Sequence, residues 1–70
     1  MNRPITIENA ATVQAWCRQH DWGRQAQVAT IDGELSIRYL IEEYRDEDGV
    51  LQSELRHFDD IEDLRAWAGY

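Results

Sequence analysis

The spacing of apolar residues changes period twice along this chain. Through residues 8–20 the apolar positions Ala10, Val13, Trp16 and Cys17 recur at helical intervals, which puts them on one face of a helix. Thr6 and Asn9 are both able to cap its start, and Gly23 stands where a glycine would stop it. Residues 26–31 read as a strand, and Asp32-Gly33 after it is a strong signal for a type I′ hairpin turn. Residues 35–45 alternate, with Leu35, Ile37, Tyr39 and Ile41 on one face. Asp46-Glu47-Asp48-Gly49 fits a three-residue loop with Gly49 left-handed, and residues 50–58 return as a third strand. The helical period comes back in residues 59–68, where Ile61, Leu64, Trp67 and Ala68 form a stripe. Asp59 with Glu62 three positions on resembles a capping box, and Gly69 ends the helix.

The two turns set the register. The first places Val28 opposite Ile37 and Thr30 opposite Leu35. The second places Ile41 opposite Leu55 and Tyr39 opposite His57. All of these then share one core face. The expected fold is α+β: a three-stranded antiparallel β-meander with two helices packed on one face, in the order α-β-β-β-α. Tight turns between consecutive strands need no crossover. The opposite face would carry Gln27, Ala29, Arg38, Leu40, Glu42, Tyr44, Gln52, Glu54, Arg56 and Phe58. There Glu42 opposes Glu54, a like-charge pair that weakens a sheet unless Arg38 and Arg56 neutralise it diagonally. The two helices share a short likeness, Val13-Gln14-Ala15-Trp16 and Leu64-Arg65-Ala66-Trp67. It reads as two helices solving one docking problem, since four residues are too few for a duplication.

Seventy residues make a single domain, residues 1–70, with a small core. The single cysteine, Cys17, has no internal disulfide partner, which fits a reducing cytoplasm. No stretch is long and apolar enough for a membrane span, and the N-terminus lacks the apolar run of a signal peptide. The expected location is cytoplasmic. All seven basic residues are arginine, either through codon bias or because planar ion pairs are favoured over flexible point charges.

Catalytic chemistry has little to stand on. Adjacent strand residues point to opposite faces, so His57 and its neighbours do not form a facing acid–base pair. Cys17 lies on an apolar stripe and reads as a small buried hydrophobe. Two histidines and one cysteine have no zinc-site spacing. The loop at Asp46 lacks the twelve-residue calcium frame and its closing glutamate. There is no glycine-rich phosphate loop. The expectation is a protein that is not an enzyme and needs no cofactor or metal.

Charge is the informative feature. The formal net charge is -7, and ten of the fourteen acids fall between Glu42 and Asp63: Glu42, Glu43, Asp46, Glu47, Asp48, Glu54, Asp59, Asp60, Glu62 and Asp63. Only Arg45 and Arg56 oppose them there. Helix-start and turn preferences account for the acids at 59–63 and 46–48, but not for Glu42, Glu43 and Glu54. Such a surface repels nucleic acid and anionic membrane and attracts basic proteins. These ten acids, with Tyr44 as an aromatic anchor, are the expected partner-binding residues. The partner is a basic protein, expected to be a nucleic-acid-binding protein or complex.

By size, charge and layout the whole chain resembles the small acidic inhibitor proteins of phages and mobile elements, including the anti-CRISPR proteins. It is also similar to bacterial immunity proteins that neutralise basic nuclease toxins. No residue is carried over by motif. The resemblance implies a stoichiometric binder whose carboxylates stand where a nuclease or CRISPR effector expects phosphates, a DNA mimic. A self-associating adaptor is the alternative, because the strand at 25–31 is an uncharged edge able to pair with its own copy. Monomer and weak homodimer are both compatible with the sequence.

Overall fold

Thr6 and Asn9 act as a pair. Thr6 Oγ1 accepts from the Asn9 backbone N–H at 3.3 Å, and Asn9 Oδ1 accepts from the Thr6 N–H at 2.8 Å. This reciprocal capping satisfies donors that a helix start leaves without partners. Helix α1 (Ala10–Arg18) follows and buries Ala10, Val13 and Cys17. The computed structural model describes residues 2–70.

Gly23 does not stop α1 in a left-handed conformation. The helix is capped at Gln19, and Gly23 lies in a short 3-10 turn, Asp21–Gly23. A glycine is needed there for proximity: a Cβ would sit 2.2 Å from the Cys17 carbonyl oxygen.

Strands β1 (Gln27–Ile31), β2 (Glu34–Arg45) and β3 (Leu51–Phe58) form an antiparallel meander in the order β1-β2-β3. Both central residues of the first turn have positive φ, Asp32 at 52° and Gly33 at 82°, as type I′ requires. Val28 pairs with Ile37, and Thr30 pairs with Leu35. In the second hairpin Ile41 pairs with Leu55 and Glu42 with Glu54. The expected pair of Tyr39 with His57 does not form, but near each turn both registers are those expected.

The common core face is not. Ile37 pairs with Phe58, whereas Leu40 pairs with Arg56. Arg38 and Tyr39 therefore oppose His57 together, as a β-bulge. An extra residue inverts the alternation of everything beyond it. Core-facing positions on β2 are Leu35 and Ile37 before the bulge and Leu40 and Glu42 after it. On β3 the core side belongs to Phe58, Arg56 and Glu54. Leu40 is fully buried and Phe58 packs on the core, while Leu55 and His57 are exposed. The bulge holds Tyr39 at φ 65°, a left-handed conformation that costs a residue with a Cβ about 1–2 kcal/mol. The Arg38 guanidinium lies 4.4 Å over the Tyr39 ring, and its Nε is buried with no hydrogen-bond partner among the described residues.

Helix α2 (Ile61–Ala68) starts one residue later than the sequence pattern indicates. Its cap is Asp60, which accepts from the Asp63 N–H at 3.0 Å, rather than Asp59 with Glu62. Gly69 at φ 90° ends it, as expected. The N-terminal segment pairs with the β3–α2 connection: Ile5 donates to Asp59 O and Ile61 donates to Arg3 O. Glu62 is thereby drawn to Arg3, whose Nε lies 2.7 Å from Oε1.

Both helices pack on one face of the sheet. Ile5, Ala10, Val13, Cys17, Ala26, Ile37, Leu40 and Leu64 form the buried core. The likeness between the helices has its expected basis. Val13 and Leu64 enter this core, and Trp16 and Trp67, three positions on, both pack against its margin. Burial pushes the Cys17 thiol up to about 11, so it is protonated and inert at neutral pH.

Candidate functional site

β1 pairs with β2 only as far as Arg38. Beyond that point β2 and β3 continue as a two-stranded arm, and the molecule extends over 43 × 25 × 22 Å. The arm and its root hold most of the acids singled out by the sequence.

On the face shared with the helices lie Glu42, Tyr44, Gln52, Glu54 and Arg56. Glu42 and Glu54 are directly opposed, as expected, but they are not unpaired. Arg56 Nη2 bridges them, at 2.5 Å from Glu42 Oε2 and 3.0 Å from Glu54 Oε2. The second oxygen of Glu42 accepts from the Trp67 indole N–H at 3.3 Å. Arg38, the other proposed neutraliser, lies instead against Tyr39. The Tyr44 hydroxyl donates to Glu54 Oε1 at 3.0 Å. That hydrogen bond and the carboxylate charge beside it raise the phenol above its ordinary value. Tyr44 is thus aligned by Glu54 and remains exposed.

Asp46 is committed to the turn. Its Oδ1 accepts from the backbone N–H groups of Asp48 and Val50, and its Oδ2 from Gln52. The Gln52 hydrogen bond first, and the Val50 and Asp48 N–H groups after it, hold its carboxyl below the ordinary 3.8. Glu62 is likewise held below its ordinary 4.5, chiefly by the Arg3 side chain. A carboxyl lowered on folding contributes stability that is complete above its ordinary value and is lost as pH falls through the folded-state value. The melting temperature is therefore expected to drop on acidification below about pH 4. In Asp46→Asn and Glu62→Gln the deficit relative to wild type is expected to be largest near neutrality and to shrink with acidification. Thermal scans across the acid range check this.

Among the described residues, Glu43, Glu47, Asp48, Asp59 and Asp63 make no ion pair. The first three sit on the arm. Asp59 and Asp63 do not join them: they line a separate depression of about 410 Å3 with Asp32, Glu34 and His57. Asp60 caps α2. Of the ten acids, six therefore lie on the arm, Asp59 and Asp63 lie beside the first hairpin turn, and Asp60 and Glu62 are taken by the α2 cap and by Arg3.

The sequence reading missed two features. One is the outer face of the arm, where the bulge turns out Ile41, Leu51 and Leu55; Leu51 and Leu55 are well exposed beside Glu43. The other is aromatic. Trp16 and Trp22 lie 5.6 Å apart and Trp22 and Trp67 5.2 Å apart, measured between ring centroids. His20 stacks flat on Trp22 at 4.8 Å, and Tyr70 and Phe58 close the cluster at its ends. Trp22 and Trp67 with Asp21, Ile41, Glu42, Glu43 and Ala68 line a groove of about 470 Å3 at the root of the arm. Trp67 was legible only as part of the α2 stripe. Trp22 has no periodic neighbour to place it.

Among the described residues there is no group of His, Cys, Asp or Glu side chains arranged to hold a metal ion, and no helix is long and apolar enough to cross a membrane. No protein-family model matches the chain, and no curated protein or solved structure matches it.

Proposed function

We propose that this protein is a small acidic inhibitor that blocks a basic nucleic-acid-binding surface of a nuclease or CRISPR effector complex, acting in the cytoplasm. One observation carries the reading. A projecting two-stranded arm bears six acids between Glu42 and Glu54 against one arginine, Arg45. Among the described residues three of those acids, Glu43, Glu47 and Asp48, make no ion pair. Unpaired charge on a rigid projection steers and orients a basic partner. Tyr44, held in place by Glu54, adds an aromatic contact whose ordering cost is met before binding. In this reading the carboxylates occupy the positions of nucleic-acid phosphates.

The test is capture from bacterial lysate at low and high salt, followed by a nucleic-acid-binding assay on the captured protein. Salt-sensitive capture of a nuclease or effector, with loss of its nucleic-acid binding, is the expected result. Reversing Glu43, Glu47 and Asp48 to arginine leaves the fold's own ion pairs untouched and is expected to weaken the complex about tenfold or more. Undiminished binding by that variant would sink the proposal.

A second reading, self-association, is favoured by the exposed Leu51 and Leu55 on the outer face of the arm. A molecular mass that does not change with concentration would remove it.

A further inference from the structure

We infer that the groove between Trp22 and Trp67 is a receptor for a single arginine side chain of the partner. This rests on the reading of the arm as a binder of basic surfaces, and it specifies where one cation of that surface enters.

The groove has the chemistry of a cation site rather than of an apolar one. Its aromatic walls meet almost at a right angle, with an interplanar angle of 82° and ring centroids 5.2 Å apart. Three acidic residues, Asp21, Glu42 and Glu43, line it beside the indoles, and no arginine is among the lining residues. The carboxylates have different roles. Glu42 is occupied on both oxygens, by Trp67 and by Arg56, so it orients the indole and does not itself accept from a ligand. Glu43, the outward neighbour of Glu42 on β2, makes no ion pair among the described residues and adds uncompensated negative charge at the rim of the groove. Among the described residues Asp21 pairs with Arg24, through an exposed contact at 2.9 Å that a better-placed cation can displace.

The walls are held before any ligand arrives. His20 backs Trp22 in a parallel stack, and Phe58 lies 5.4 Å from Trp67. Gly23, pressed against the Cys17 carbonyl, fixes the turn that carries Trp22. The indole of Trp67 is oriented by its hydrogen bond to Glu42. A pre-set aromatic corner loses little freedom on binding. The occupant that uses every element of the groove is a planar guanidinium. It stacks on an indole and presents forked donors to a carboxylate, which an ammonium does not match.

The experiment titrates 15N-labelled protein with N-acetyl-arginine methylamide and, separately, with the neutral citrulline analogue. The indole N–H resonances of the three tryptophans are followed. The arginine probe is expected to move the Trp22 and Trp67 signals saturably, with a dissociation constant on the order of millimolar, as one or two cation–π contacts and an exposed carboxylate imply. Trp16 lines a different cavity and serves as the internal control. The exposed double change Asp21→Asn with Glu43→Gln is expected to weaken the arginine probe at least about threefold while leaving the free protein's spectrum otherwise intact. Equal shifts with citrulline, no saturable shift, a response confined to Trp16, or an unaffected double variant would overturn the assignment. Failure here together with loss of capture on reversing Glu43, Glu47 and Asp48 would leave the acidic arm as the binding surface and discard the groove alone. Specific arginine binding with no basic protein captured would keep the groove and discard the inhibitor reading.

Discussion

Leu40→Ala is expected to destabilise the domain by about 3 kcal/mol, and Leu55→Ala by less than about 0.5 kcal/mol. The two positions share a residue type and lie on paired strands, so the comparison isolates burial. Leu40 is fully buried against Ile37 and Leu64 in the core, whereas Leu55 is 63% exposed. Truncating Leu40 removes its transfer free energy and leaves a cavity that a small core refills poorly. For seventy residues the total stability is of the order of 4–10 kcal/mol, so the loss is a large share of it. Unbroken alternation along β2 predicts the reverse order, with Leu55 inside beside Ile41 and Leu40 outside. Urea unfolding of the two variants therefore tests the bulge at Arg38 and Tyr39 directly. A larger loss from Leu55→Ala than from Leu40→Ala would show that the bulge is absent.

Gly23→Ala is expected to cost about 3 kcal/mol and to displace Trp22. The added Cβ would lie 2.2 Å from the Cys17 carbonyl oxygen and 2.7 Å from its carbonyl carbon. Both are backbone atoms at the end of α1, and that oxygen already accepts from His20 at 3.0 Å. Relief requires moving the 3-10 turn away from the helix. His20 and Trp22 would move with it, and the aromatic corner at the root of the arm would open. Gly49→Ala is the control. It has open space around it and only the cost of a left-handed φ of 77°, about 1 kcal/mol. Denaturant unfolding, with the Trp22 indole resonance as a local probe, separates the two. Equal losses at both glycines would show that Gly23 is not tightly packed on Cys17.

These two predictions fall where reading along the chain and the folded structure part company. Helix α1, the two hairpins and their registers, α2 and its glycine stop were all legible. Each rests on an interaction within a few residues: the Thr6–Asn9 exchange, the positive φ of Asp32, Gly33 and Gly49, the αL cap at Gly69. The face of the second hairpin was not legible. On β2 the odd positions Leu35, Ile37, Tyr39 and Ile41 are the more apolar, and on β3 Leu51 and Leu55 continue that frame. Local alternation therefore favours the wrong side. The deciding contact is Phe58 beside Ile37 at the end of β3, part of a core that the helices complete. No glycine or asparagine marks the bulge, because the fold places a tyrosine in that strained conformation.

The candidate site divides in the same way. Acid count, the position of Glu42 opposite Glu54, and Tyr44 as the aromatic beside them follow from composition and turn register. Which acids are free does not. Arg56 shares a face with Glu42 and Glu54 by the hairpin register alone, and of the two neutralisers the register allowed it is the one that bridges them, Arg38 being held at the bulge. Glu62 is taken by Arg3 across almost the whole chain, and Asp59 and Asp63 line a depression with Asp32 and Glu34. The groove depends on Trp22 and Trp67, forty-five positions apart, meeting at a right angle.

By itself, then, the sequence determined the elements, their order, the strand registers and the surplus of negative charge, since spacing, turn chemistry and residue counts act locally or additively. Tertiary structure alone decided which sheet face is buried, which carboxylates remain unpaired and that two distant indoles form one corner. Those outcomes depend on long-range packing, where filling one small core around Ile37, Leu40, Phe58 and Leu64 outweighs both the alternation of a strand and the strain at Tyr39.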